Sequence, residues 1–279
     1  MDWSWAGPPL DVRPLFLLDR AAFVGLLGDL TAEEWQRPTV CPGWRVHDVT
    51  AHVVHDQIRK LSGSRDGQAA PGPGPGEDLP RFLHRVNQEF VEVASRWSPR
   101  VLIDLLGDLG PRLDQFWASL DMGRLGEAVS WAAPGVPAPA WLDVAREYSE
   151  YWVHQQQVRD AVGRPGACSE RLMAPVIDTF VRAVPYALRQ LSPAPGTTVQ
   201  IGVTGPGGGT WTIRRQDATW AVNRGPSAQH AAALVRLSAD TLWRVATRGI
   251  TVETARERAT IAGDQDLGSA VLTLVAIIR

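Results

Sequence analysis

Apolar residues recur at helical spacing through much of the first half of the chain. Over 13–30, Leu15, Leu18, Phe23, Leu26 and Leu27 fall on one side, which predicts an amphipathic helix. Thr31 opens T-A-E-E, a capping-box pattern that starts a short helix. Pro42-Gly43 marks a turn. The helical pattern resumes over 46–61, where Val46, Val49, Val53, Val54, Ile58 and Leu61 form the apolar stripe. Segments 83–97 and 99–120 predict two more helices. Segment 141–162 predicts a long one, stopped by Gly163 and Pro165. Between them, 63–80 is rich in Gly, Pro, Ser and Asp and predicts a mobile loop, either a plain linker or a flap. The Pro-rich stretch 126–140 reads as irregular. At least four helices joined in this way suit an antiparallel bundle.

The pattern changes after 170. A helix is expected over 170–191. Then TTVQIGVTG, GTWTIRR and ATWAVNR alternate apolar and polar positions, which predicts an antiparallel meander. AALVRLS reads as a further strand. Ser238 caps a helix over 239–247, ATIAGD is a last strand, and 266–278 a last helix. The expected class is therefore α+β in two domains: a helical bundle over 1–165 and a small α+β domain over 166–279.

Composition narrows the function classes. The chain has 279 residues, 44% apolar and 21% charged, an ordinary globular balance. A net charge of −2 with no dense Lys/Arg run argues against a nucleic-acid partner, which needs a basic face. No apolar run is long enough to span a membrane, and the first residues lack the apolar core of a signal peptide. Two distant cysteines form no disulfide framework, so a cytoplasmic location is expected. Of the twelve tryptophans most are expected in the core and a few to line a pocket, because indole is large, flat and has a polar tip.

Three of the six histidines, His47, His52 and His55, lie within nine residues. On the 46–61 helix, Asp48, His52 and Asp56 cluster opposite the Val stripe, with His55 at the edge. Periodicity alone reads this as a solvated face. The 141–162 helix adds Glu150 and His154, one turn apart on one face and beside an aromatic stripe of Trp141, Tyr148, Tyr151 and Trp152. Two histidines and a carboxylate from two helices are a donor set for a catalytic Zn²⁺ or a non-haem Fe²⁺.

The stretch CPGWRVHDVTAHV, followed about a hundred residues later by REYSEYWVHQQQVRDAVGRP, resembles the mycothiol-dependent maleylpyruvate isomerase family of the DinB-like thiol-transferase superfamily of actinobacteria. The resemblance covers nearly the whole chain. It implies a DinB-like four-helix bundle followed by an α+β domain similar to sterol carrier proteins. It also implies a divalent metal, usually zinc, on His52, Glu150 and His154, with mycothiol as the thiol cosubstrate. Two arginines are implied as carboxylate clamps, and Arg85 and Arg248 are the matches. Many members of the resembled family have Asp where this chain has Gln157, a position implied to orient the ligand imidazole.

The expected function is thiol transfer or isomerisation on a small, electrophilic, acidic substrate. The alternatives are metal-dependent hydrolysis, with Glu147 or Asp48 as base, and a non-catalytic binding member. Cys41 reads as a fourth ligand, a redox thiol or a buried turn cysteine. Partners are expected to be the small-molecule substrate and a low-molecular-weight thiol, with the chain a monomer or a homodimer.

Overall fold

The computed structural model describes residues 2–68, 70, 72–228 and 230–276. In chain order the elements are α1 (Phe16–Gly28), α2 (Val46–Arg59), α3 (Leu79–Ala94), α4 (Pro99–Ser119), β1 (Leu125–Ala128), β2 (Pro137–Pro139), α5 (Ala140–Val162), α6 (Glu170–Val181) and α7 (Val184–Ala187). They continue as β3 (Thr198–Thr204), β4 (Gly209–Arg215), β5 (Trp220–Arg224), β6 (Ala233–Ser238), α8 (Ala239–Ala246), α9 (Val252–Arg258), β7 (Thr260–Gly263) and α10 (Gln265–Val271). The class is α+β.

The chain forms two compact units that interleave along the sequence. The helical unit takes 12–120 and 150–167. The mixed unit takes 1–11, 121–149 and 168–278. A single division at 165/166 assumes contiguous domains, whereas here the long helix α5 contributes its first part to one unit and its second part to the other.

In the helical unit, α4 packs on α1 and α2, and α2 packs on α3. The apolar positions of α2 (Val46, Val49, Val53, Val54) are buried, as are Leu102, Leu106, Leu113 and Trp117 of α4. The second part of α5 is tied in by polar contacts. Gln155 Nε2 donates to Asp19 Oδ1 at 2.7 Å, and Arg159 donates to the Ala22 carbonyl at 3.0 Å. The T-A-E-E cap is formed: Thr31 N–H donates to Glu34 Oε2 at 2.8 Å, and Glu34 N–H to Thr31 Oγ1 at 3.2 Å. It starts only one 3-10 turn, Glu34–Gln36. Helix α2 runs on into a π-helical turn, Lys60–Arg65, so the glycine-rich segment begins inside helical structure rather than as a loop. Ser98 and Asp78 cap α4 and α3 through their side chains.

In the mixed unit, a five-stranded sheet has the order β5-β4-β3-β6-β7. The meander β3-β4-β5 is antiparallel as expected. Strand β6 returns parallel to β3, which alternation alone does not reveal. Val199, Ile201, Val203, Trp211, Ile213, Val235 and Leu237 make the buried face, and α8 and α10 pack against the sheet. Two departures follow from local chemistry. The 126–140 stretch contains the β1–β2 ladder. The helix expected over 170–191 breaks into α6 and α7, with Pro185 in the first turn of α7. Helix α9, capped by Thr251, has too few apolar positions to show a period. The last helix ends at Val271, and 277–278 of its expected span lie outside the described residues.

Candidate metal centre

The chain is turned into α2 by a tight bend. Trp44 N–H donates to the Cys41 carbonyl at 3.0 Å. Pro42 fixes the second position of this turn, and Gly43 takes the third with φ of +79°, a left-handed value that favours glycine. Asp48 then accepts from Arg45 N–H at 2.9 Å and from Arg45 Nε at 3.1 Å, closing the helix start. This places His52 and Asp56 one turn apart on α2, each only 7% exposed.

Glu150 and His154 repeat the spacing on α5. The His52 and His154 rings meet edge to face, with centroids 4.7 Å apart and planes at 88°. His52 Nε2 lies 3.5 Å from Asp56 Oδ2, and His154 Nε2 lies 3.5 Å from Glu150 Oε2. Both distances are too long for good hydrogen bonds. His154 Nε2 and His52 Nδ1 are buried without a hydrogen-bond partner. Other buried polar atoms of the chain are also unpartnered, but here the two orphaned nitrogens belong to imidazoles in ring contact.

The far side of His154 is occupied. Gln157 Oε1 is 2.8 Å from His154 Nδ1 and 3.2 Å from Cys41 Sγ. An amide oxygen only accepts, so Nδ1 carries the proton and Nε2 keeps a lone pair for a ligand. Cys41 is thus neither exposed nor aimed at the histidines: its thiol donates to the residue behind His154.

Electrostatics shift the two imidazoles in opposite directions. Burial disfavours the His52 imidazolium and lowers its pKa to about 4, against the opposing charge of Asp56. Burial also works against the His154 imidazolium, but Glu150, Asp56 and Gln157 outweigh it and the pKa is raised. Burial works against the Asp56 anion, yet the charges of His52, Arg59, His154 and His55 outweigh it and hold the carboxyl below the ordinary carboxylate range.

Among the described residues, no group of three or more His, Cys, Asp or Glu side chains is arranged as a metal site. The donor chemistry does suit one: His52, His154 and Asp56 are buried, Glu150 lies beside His154, and one nitrogen of each imidazole is unpartnered.

The other histidines of α2 are structural. His47 Nε2 is 3.0 Å from the Trp97 carbonyl, and the His55 ring stacks on Phe90 with centroids 4.5 Å apart. Arg85 is committed elsewhere, holding Glu77 at 2.9 Å and Glu89 at 3.1 Å. Arg248 is exposed in the mixed unit, at φ of +56° after the end of α8. Two residues that lie against His52 were not singled out from the sequence. Trp44 has its ring 5.2 Å from that of His52 and its Nε1 held by Gln88 Oε1 at 2.9 Å. Asp56 was placed on the polar face only. The signal for it was present, because H-x-x-x-D at 52–56 mirrors E-x-x-x-H at 150–154.

Comparison with known proteins matches residues 16–159 to the mycothiol maleylpyruvate isomerase N-terminal domain, just over half of the 279 residues. An uncharacterized protein found in two strains of Mycobacterium tuberculosis is 27% identical over 197 residues, covering 69% of this chain and 72% of the relative. Crystal structures of the mycothiol-dependent maleylpyruvate isomerase share the fold at 15% identity. One covers 84% of this chain and 86% of its own with a TM-score of 0.51. A single-residue variant of that enzyme covers 90% and 91% with a TM-score of 0.53.

Proposed function

The chain belongs to the family of the mycothiol maleylpyruvate isomerase N-terminal domain, and from that premise we propose an enzyme that uses a low-molecular-weight thiol, mycothiol, on a small electrophilic substrate. The observation that carries the metal-dependent form of this reading is His154: its Nδ1 is taken by Gln157, and its Nε2 is buried without a partner beside His52. His52, Glu150 and His154 would hold a divalent ion, zinc by preference. A bound cation of this kind keeps a thiol in its thiolate form near neutral pH.

The chain's own groups do the rest. Gln157 fixes the tautomer of His154. His52 is neutral at physiological pH, because its pKa is lowered to about 4, so its lone pair is available. Trp44 closes one side of His52 with an aromatic face. In isomerisation, the thiolate sulfur adds to a conjugated carbon and the π pair moves onto the conjugated carbonyl. The bond left single rotates. Expulsion of the thiolate restores the double bond in the other geometry, with no net oxidation. Thiol transfer stops at the adduct, with a proton taken up at carbon.

The test is thermal unfolding of the zinc-loaded protein with mycothiol or glutathione, alongside assays with and without thiol. The expected result is a rise in Tm with mycothiol alone, since a ligand bound only to the native state stabilises it. Turnover in the absence of any thiol would overturn the reading in favour of hydrolysis.

A further inference from the structure

We propose that Asp56 is a fourth protein donor of this centre, an inference that rests on the metal-dependent reading above. The two helices present matched pairs. On α2 a histidine is followed by a carboxylate at i+4, and on α5 a carboxylate is followed by a histidine at i+4. Both imidazole-to-carboxylate separations are 3.5 Å. A hydrogen bond would bring such atoms to about 2.9 Å. Two donors that each sit about 2.1 Å from one tetrahedral ion lie about 3.4 Å apart. The α2 pair therefore has the spacing of two ligands as much as the α5 pair does.

Burial and charge point the same way. Asp56 is only 7% exposed, and a buried carboxylate needs a cationic partner. Its Oδ1 faces Arg59 at 3.5 Å, a long contact to a side chain 36% exposed. Its Oδ2 faces His52. A divalent ion held here would be matched in charge by two carboxylate donors, Asp56 and Glu150. A donor set of two nitrogens and two carboxylate oxygens suits zinc and also harder first-row ions such as Mn²⁺ or Fe²⁺.

The consequence is a site closed by protein groups. A thiol sulfur enters only when one of them yields. Asp56 is the group with a second partner in place, because Arg59 already stands at its other oxygen.

The experiment is titration of the full metal-free chain with Co²⁺, following the visible d–d bands and the affinity against a chelator, for wild type, Asp56→Asn and Asp56→Ala. Thermal unfolding without metal checks that each variant folds. The expected result is one equivalent in wild type, with affinity lower by roughly 100-fold or more in both variants and altered bands. Unchanged bands with affinity within about threefold of wild type would overturn Asp56 as a ligand and leave the three-donor reading standing. A roughly tenfold loss with unchanged bands in Asp56→Asn would also overturn it, assigning Asp56 as a hydrogen-bond partner of His52. Absence of Co²⁺ binding to wild type would overturn the metal-dependent reading and this inference with it.

Discussion

Gln157 and His154 sit one turn apart on α5, joined at 2.8 Å through Oε1 and Nδ1. The same oxygen receives the Cys41 thiol at 3.2 Å, so the turn before α2 reaches His154 of α5 through one amide. Outer partners of this type commonly set ligand affinity by ten- to hundredfold. Gln157→Leu is expected to weaken metal binding by about tenfold and leave the fold intact. Chelator competition measures it, and an unchanged affinity would show that the contact does not orient His154.

Cys41 should matter less and in a graded way. Cys41→Ser keeps a donor toward Gln157, whereas Cys41→Val removes it. The expected order of metal affinity is wild type near Cys41→Ser, both above Cys41→Val. Equal affinities in all three would remove Cys41 from the site altogether.

Metal binding should depend on pH through His154. Its pKa is raised above the ordinary 6.5 by Glu150, Asp56 and Gln157, against burial. A ligand imidazole must be neutral, so the ion competes with a proton there. Affinity is expected to be full above the raised value and to fall by up to about tenfold per pH unit below it. Without metal the sign for stability is the reverse: a raised pKa stabilises below 6.5 and that contribution fades as pH rises through the folded value. Isothermal titration across pH 5–8 in buffers of different ionisation enthalpy counts the released proton.

Asp19 supplies a second titration away from the site. Burial raises its carboxyl to about 7, against the opposing charges of Arg159 and Arg20. The folded chain then binds more protons than the unfolded one between the ordinary 3.8 and about 7, so this group costs stability as pH rises through that window. The cost is up to about 4 kcal/mol at 1.36 kcal/mol per pH unit. Asp19→Asn keeps an acceptor for Gln155 and is expected to flatten the stability–pH curve between pH 4 and 7. Denaturant unfolding at several pH values reads it, and parallel curves for the two proteins would contradict the assignment.

Gly43 takes φ of +79° in the bend that launches α2. Gly43→Val is expected to cost about 1–3 kcal/mol, because a β-branched residue does not adopt that conformation without strain. Urea unfolding measures the loss. A cost near zero would mean that the turn relaxes freely.

The helices were legible because they are long and amphipathic: α2, α4 and α5 lie within a residue or two of the periodic segments. The Thr31–Glu34 cap and the Pro42-Gly43 bend were legible as local chemistry. The parallel pairing of β3 with β6 was not, because period-two alternation gives the face of a strand and not its neighbour. Nor was the interleaving of the two units, because periodicity marks α5 as one helix and does not show that its two parts fall in different units. At the site, the likeness of sequence pointed to His52, Glu150 and His154, and the fold brings the two imidazoles together. Asp56 was read only as part of a polar face, because a helical wheel does not separate a solvated face from a buried one, although its spacing from His52 was visible in the sequence. Arg85 looked available because its partner Glu77 lies eight residues upstream, beyond any helical spacing.

The most direct test of the central claim is metal content by plasma mass spectrometry of purified wild type beside His52→Ala and His154→Ala. The account expects near one equivalent of zinc, iron or another divalent ion in wild type and its loss in both variants. No metal in wild type, even after addition of Zn²⁺ and dialysis, would contradict it.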